Sequence, residues 1–400
     1  MLLESPVVVI QGARQVGKST LAQVVVGQHG GRIISLDATN VREAATANPD
    51  EFVTQDANGV LALDEVQNVP QIMRAIKVAV DSDRRPGRFL LTGSADLLHI
   101  TGANESLAGR SETLHLWGFS QGEKLGVPDD FVTWLSLAGI GRPHTYTPCD
   151  YASIIVAGGY PEANRRQARS RGRWFDGYLR GVTDHDAAEV SGLASLDRLQ
   201  LLLRWVATQT SHELVLAQAS RATGIPERSL PPYLRLLDDL YLTYRLPAWG
   251  RNLAKRVVGR QKVMVADVGL ACHVTGTTTD VLGDLLQRVR MGDLLETFVA
   301  MELVKQQTWS ATPYRLFHFR DATGPEVDLI IELADGRVIG VEVKASTSLG
   351  RADFSGLTTL RDNLGPELVA GAVLYTGTEE LPWGDRLRAL PVQALWQNGR

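Results

Sequence analysis

Only two cysteines, Cys149 and Cys272, occur in 400 residues. That excludes a disulfide framework or a cysteine-built zinc site within the chain, and it predicts a reducing, cytoplasmic setting. No apolar run approaches the ~20 residues of a membrane-spanning helix, so no membrane partner is expected. The opening Met-Leu-Leu-Glu-Ser-Pro has no basic stretch, so no secretory leader is expected. Excess positive charge is missing too: 41 Lys and Arg stand against 45 Asp and Glu, a net charge of −4. That is not the balance of a nucleic-acid coat protein, and a DNA site would have to be a local basic patch. Repeats at solenoid periods and low-complexity segments are absent as well.

What is present is an ordinary globular composition, 44% hydrophobic and 22% charged, long enough for two to three domains. Val7–Ile10 is wholly apolar and reads as a buried parallel strand. Similar strands are expected at 32–36, 60–63 and 88–91, with a helix at 70–82 between the later ones. Such alternation predicts an α/β sheet covered on both faces. The Gly- and Pro-rich stretch 139–148 reads as a linker. Helices are expected over 150–210, with Trp174, Phe175, Tyr178 and Leu179 at helical spacings. A helix at 217–223, a turn at Gly224-Ile225-Pro226, a helix at 230–240 and strands at 241–246 and 263–265 suggest a helix-turn-helix with a wing. A mixed α/β pattern follows from Val263. The expected domains are 1–140, 150–262 and 263–400.

Gly12-Ala13-Arg14-Gln15-Val16-Gly17-Lys18-Ser19 fits G-x-x-x-x-G-K-[ST] between an apolar strand and a helix, where a phosphate-cradling loop must sit. Backbone N–H groups of the loop would converge on phosphate oxygens at the helix N-terminus. Lys18 would reach the β- and γ-phosphates of ATP, and the Ser19 hydroxyl would bind Mg²⁺. Val60-Leu61-Ala62-Leu63 then delivers Asp64 and Glu65 to the strand's C-terminal edge. Asp64 would hold the Mg²⁺ shell and Glu65 would polarise an attacking water. Thr92 or Ser94, ending the next strand, could sense the γ-phosphate. Arg110 is either a charge-stabilising arginine or a surface one.

Farther on, 327–333 and 337–344 read as a β-hairpin. If facing residue numbers sum to 670, Val327, Leu329 and Ile331 oppose Val343, Val341 and Ile339, and Asp328 meets Glu342. This register requires a three-residue loop, Ala334-Asp335-Gly336, with Gly336 left-handed. Lys344 shares the face of Asp328 and Glu342. Two facing carboxylates repel unless a cation separates them, and Mg²⁺ or Mn²⁺ suits oxygen ligands. Glu296, on a preceding helix, would complete the set, and Lys344 would orient or deprotonate a water. The pattern is that of metal-dependent nucleases; the alternative is a plain half-exposed hairpin. Two acid-free basic clusters, 165–173 and Arg251, Lys255, Arg256, Arg260 and Lys262, are either phosphate contacts or solvated surface. Pro231-Pro232 and Asp238-Asp239 argue against a base-reading helix. Asp184-His185-Asp186 reads as an ordinary polar surface.

Taken together, the segments 12–20 (ending in Thr20), 63–67, 91–94, 107–110, 158–162 and 267–270, with the Glu296, Asp328, Glu342, Lys344 set, resemble the prokaryotic AAA-type P-loop ATPases (AAA_14-like) with a C-terminal DUF4143 region. The resemblance covers nearly the whole length. It implies a P-loop AAA-type ATPase domain, a helical, winged-helix middle and a C-terminal α/β PD-(D/E)xK nuclease-like domain. It also implies nucleotide-site roles for Thr20 and Arg110, ATP and Mg²⁺ as cofactors and DNA as a candidate partner; a homo-oligomer is the candidate assembly if Arg110 acts on a neighbouring chain. Two rival expectations stand beside an ATPase coupled to a nuclease-like end. One is a nucleotide-dependent switch that binds a protein partner through an inactive nuclease fold. The other is a winged-helix transcriptional regulator.

Overall fold

The computed structural model describes residues 1–56, 58–94, 107–137, 139, 144–183, 197–250, 259–284, 288–320 and 326–397. His185 with its two aspartates, and Arg251, Lys255 and Arg256, lie outside the described residues. The chain divides into two compact units, one built on residues 1–118 and the other on most of the remainder. Among the described residues, no helix is long and apolar enough to cross a membrane.

The first unit holds a five-stranded parallel sheet in the order β2-β3-β4-β1-β5. Its strands are β1 (Val7–Gln11), β2 (Gly31–Ser35), β3 (Val60–Asp64), β4 (Phe89–Gly93) and β5 (Ser111–His115). Alternation along each strand sends side chains to two separate cores. Val7, Val9, Leu61, Leu63, Phe89 and Leu91 pack with Ile72, Met73, Ile76 and Val80 of the helix Ile72–Ser82. Val8, Ile10, Val60, Ala62 and Leu90 pack with Ala22, Leu21 and Val25 of the helix Lys18–His29. The sheet is covered on both faces, as the unbroken apolar runs require. β5 carries no apolar run because it is an edge strand, paired with β1 alone.

The second unit begins earlier than the sequence suggests. Residues 119–137 group with it, not with the parallel sheet. The Gln121 N–H donates to Glu302 (2.7 Å) and the Phe131 N–H to Gln306 (2.9 Å), both on the helix Arg288–Gln306. The described part of 139–148 is no free linker: the Gln393 side chain accepts the Thr145 and Tyr146 N–H groups (2.9 and 3.1 Å). The helix Leu216–Thr223 ends at left-handed Gly224, and the helix Leu230–Asp239 follows. β6 (His212–Glu213), β7 (Thr243–Leu246) and β8 (Lys262–Val265) form an antiparallel sheet in the order β6-β8-β7. No compact boundary falls at 262/263, since β8 spans that point within one unit.

The rest of the unit holds a mixed six-stranded sheet, β13-β14-β12-β11-β10-β9. Its strands are β9 (Tyr314–Arg320), β10 (Glu326–Leu333), β11 (Val338–Lys344), β12 (Leu368–Tyr375), β13 (Leu381–Pro382) and β14 (Leu387–Pro391). β10 and β11 pair as Leu329↔Val341 and Ile331↔Ile339, the register summing to 670. The loop 334–336 closes with the Gly336 N–H on the Leu333 carbonyl (2.9 Å) and Gly336 at φ 84°. One expected feature differs. A one-residue shift against β9 between Val327 and Ile330 puts Val327 into the same core cluster as Ile330, with Leu357 and Leu360. Such a bulge turns the strand end over. Val327, Leu329, Ile330, Ile331 and Leu333 are buried, whereas Glu326, Asp328 and Glu332 are half-buried.

Candidate nucleotide site and carboxylate centre

Gly12 opens the loop after β1. A β-carbon there would collide with the Leu116 carbonyl oxygen, so only glycine fits. Gln15 (φ 63°) and Gly17 (φ 108°) take left-handed conformations, and Gly17 caps the helix Lys18–His29 without a side-chain bond. The backbone of 12–19 thus curls around the helix N-terminus, leaving amide dipoles for an anion. Ala13 and Val16 are buried beneath it, whereas Arg14, Gln15 and Thr20 are exposed. Lys18 is buried, its ammonium donating to the Gly12 and Ala13 carbonyls (3.0 and 2.9 Å).

The Ser19 hydroxyl donates to Asp64 Oδ1 (2.9 Å). A hydroxyl beside a carboxylate at a strand's C-terminal edge is a donor set that fits Mg²⁺. The buried Thr92 hydroxyl donates to the same Asp64 oxygen and accepts the Glu65 N–H (3.2 Å). Glu65 itself is left-handed at φ 57°. Its carboxylate accepts from Gln67 Nε2 (2.5 Å), which also donates to Ser94 (3.1 Å). Lys18, Ser19, Asp64, Glu65, Thr92 and Ser94, expected at one edge from their motifs, meet there. Gln67 lies in the segment 63–67 that carries the resemblance, but the sequence assigns it no role; the contacts do.

Arg110 does not join them within the chain. Its carbonyl accepts the Val7 N–H (3.3 Å), at the N-terminal end of β1. The loop leaves the other end of that strand, roughly 16 Å away at ~3.3 Å per residue. The Arg110 guanidinium instead grips Asp81 with two bonds (2.7 and 3.0 Å). Any action on a nucleotide would have to be on a neighbouring chain's.

In the second unit, Asp328, Glu342, Lys344 and Glu296 do converge, together with a residue not foreseen there. Lys262, expected on a basic surface, is buried. Its ammonium lies 2.8 Å from Glu296, 3.3 Å from Glu326 and 3.9 Å from Asp328. Lys344 pairs with Glu342 (2.8 Å), and Asp328 accepts the Val343 N–H (2.8 Å). Burial, with Asp328 nearby, pushes the Glu296 and Glu342 carboxyls up to about 8. Burial would lower Lys262, but Glu296 and Asp328 outweigh it and hold its pKa above the ordinary value. A cavity of about 270 Å³ lined by Ser211, Glu213, Lys262, Asp293, Glu296 and Glu326 opens beside the cluster. The metal expectation for Glu296, Asp328 and Glu342 needs correction. Among the described residues, no three His, Cys, Asp or Glu side chains are grouped to hold a metal ion. The carboxylates gather around ammonium groups, so the residues as arranged do not fit a divalent ion.

The basic stretch 165–173 is partly spent internally. Arg166 pairs with Glu162 (2.5 Å), and Arg171 donates to the Ala163 and Arg166 carbonyls (3.2 Å each). Arg165, Arg169 and Arg173 are exposed. Asp238, half-buried, is paired with Arg245 (3.1 Å) on β7.

Comparison with known proteins places three regions along the chain. Residues 4–125 match an AAA domain, AAA_14; 149–281 match a domain of unknown function, DUF8612; 291–395 match another, DUF4143. The chain is 27% identical over its whole length to uncharacterized proteins Mb2031c of Mycobacterium bovis and Rv2008c of Mycobacterium tuberculosis, covering 82% of each. A solved RuvB of Thermotoga maritima aligns with TM-score 0.25 and 16% identity, over 60% of this chain and 82% of that one.

Proposed function

We propose, for a chain that carries an AAA_14 P-loop ATPase domain followed by DUF8612 and DUF4143 regions, that the first unit binds ATP with Mg²⁺ and hydrolyses it. The observation that carries this is the chain of contacts from Ser19 through Asp64 and Thr92 to Glu65 at the edge of the parallel sheet. Mg²⁺, when bound, neutralises charge on the β- and γ-phosphate oxygens. Lys18 exchanges its loop carbonyls for phosphate oxygens. Asp64, fixed by Ser19 and Thr92, holds the hydration shell in place. Glu65 accepts the proton of the water that attacks the γ-phosphorus, as the bond to the ADP oxygen breaks. Gln67 and Ser94 orient that carboxylate. Thr92 is spent on Asp64 and Glu65, which makes it a positioning residue; Ser94, which accepts from Gln67, remains a candidate γ-phosphate sensor.

Lys18→Ala should abolish ATP binding or turnover. Glu65→Gln should bind ATP and turn it over slowly. Normal hydrolysis by both variants would overturn the reading.

Among the roles for the second unit, a nucleotide-dependent switch acting on a partner is favoured over a DNA-cutting enzyme by the Lys262 ammonium inside the carboxylate centre. A metal nuclease needs that space for its cation. The two helices joined at Gly224, with β6, β7 and β8 beside them, support a winged-helix reading of the middle region. DNA remains a partner to test, through exposed Arg165, Arg169 and Arg173. Turnover unaffected by DNA would favour the switch, and DNA-stimulated turnover the DNA-acting reading.

A further inference from the structure

We infer that Lys262 is the resident cation of the carboxylate centre, holding between Glu296 and Asp328 the position a divalent metal would need. This rests on the switch reading of the second unit and says what keeps its nuclease-like centre metal-free.

Three observations carry it. First, the Lys262 ammonium reaches three carboxylates at 2.8, 3.3 and 3.9 Å, with its side chain only 3% exposed. A buried ammonium is tolerable only among opposing charges, and gathered carboxylates are tolerable only around a cation. Each satisfies the other. Second, Lys262 is not on a loop that moves aside at no cost. Its backbone lies inside the β6-β8-β7 ladder, opposite Glu213 and Leu246. Third, the remaining carboxylate, Glu342, already has its own ammonium in Lys344 at 2.8 Å. A divalent ion entering next to Glu296 and Asp328 would therefore face a fixed positive charge, and could bind only after that charge had gone. The amine comes from the middle region, whereas Asp328 and Glu342 sit on the six-stranded sheet. The middle region thus masks the centre with one side chain.

The test is Mn²⁺ binding to the full-length protein without nucleotide, followed by electron paramagnetic resonance of the free ion. Every arm carries Ser19→Ala, which weakens the P-loop metal position, and only Asp328-dependent binding is scored. The parent should show no binding that depends on Asp328. Lys262→Ala should gain one Mn²⁺ site, roughly ten- to hundredfold tighter than any binding by the parent. Adding Asp328→Ala should remove it. Asp328-dependent binding by the parent would overturn the inference, because the ammonium would then be no obstacle. A folded Lys262→Ala chain that gains no site would overturn it too, because the centre would not be a masked cation site. Should Lys262→Ala not fold, Lys262→Gln takes its place under the same outcomes. Failure of the ATPase reading appears elsewhere, in the Lys18→Ala and Glu65→Gln assays.

Discussion

Gly158 and Gly269 meet backbone to backbone. A β-carbon on Gly269 would lie 2.7 Å from the Gly158 Cα, and one on Gly158 would lie 2.9 Å from the Gly269 Cα. The contact is held by Asp267, whose carboxylate accepts the Gly159 N–H (2.6 Å) and caps the helix Val268–Thr275 at Leu270 (2.9 Å). Gly159 and Asp267, 108 positions apart in sequence, thus belong to two halves of one joint.

Gly269→Ala should therefore destabilise the second unit by roughly 2–4 kcal/mol, since backbone cannot yield as a side chain can. Urea unfolding measures it. Gly177→Ala is the control. Gly177 sits in the helix Ala168–Gly181 with open space around its Cα. That change should be neutral, or stabilising by up to ~1 kcal/mol. Equal effects at the two sites would dissolve the joint.

Thr92→Val keeps the side chain's shape and removes both bonds of its hydroxyl. Asp64 then keeps Ser19 alone, and the Glu65 N–H loses its acceptor. We expect ATP affinity within a few-fold of the parent and kcat lower by roughly ten- to hundredfold, a loss of ~1.4–2.7 kcal/mol in the transition state. A large loss of affinity with unchanged kcat would make Thr92 a ligand contact.

Arg110 offers a test of assembly. An arginine supplied by a neighbour raises phosphoryl-transfer rates by ~10³–10⁵. If Arg110 acts on the adjoining chain, activity per chain rises with protein concentration. Mixing inactive Arg110→Ala and Lys18→Ala chains then restores turnover. If its only work is the pair with Asp81, Asp81→Asn and Arg110→Ala behave alike and no mixture rescues. Light scattering supplies the oligomeric state that decides between a monomer and an assembly too weak to detect by rescue.

The parallel sheet is legible in the sequence because β1, β3 and β4 carry apolar runs and its loop is a fixed-spacing motif. β5 is not, because an edge strand such as Ser-Glu-Thr-Leu-His needs only one buried neighbour. The β10–β11 register is legible from apolar pairing and a glycine-closed loop. The place of Lys262 is not, since nothing local to β8 marks an ammonium whose partners lie 34 or more positions away. Residues 119–137 resist assignment to the second unit for the same reason: their acceptors, Glu302 and Gln306, are distant in sequence. Which end of β1 Arg110 flanks is not legible, because a short motif records neighbours along the chain alone.

Lys124 gives a pH dependence whose sign is fixed by its surroundings. Its ammonium donates to the Gly158 carbonyl. Burial, reinforced by Lys305, lowers its pKa from 10.5 to about 8. Below about pH 8 the amine is charged in both the folded and unfolded chain, and the fold bears the whole cost of burying it. Between about 8 and 10.5 the folded chain releases the proton while the unfolded chain keeps it. Unfolding then takes up a proton, so this group's contribution to stability rises with pH across that window. The rise is at most about 3 kcal/mol. Lys124→Met has no such proton to release. The difference in unfolding free energy, parent minus Lys124→Met, should therefore climb from about pH 8 to about pH 10 in urea titrations, while other titrating groups cancel between the two proteins. A flat difference would mean that Lys124 keeps an ordinary pKa in the fold, and that the Gly158 carbonyl and Glu302 offset its burial fully.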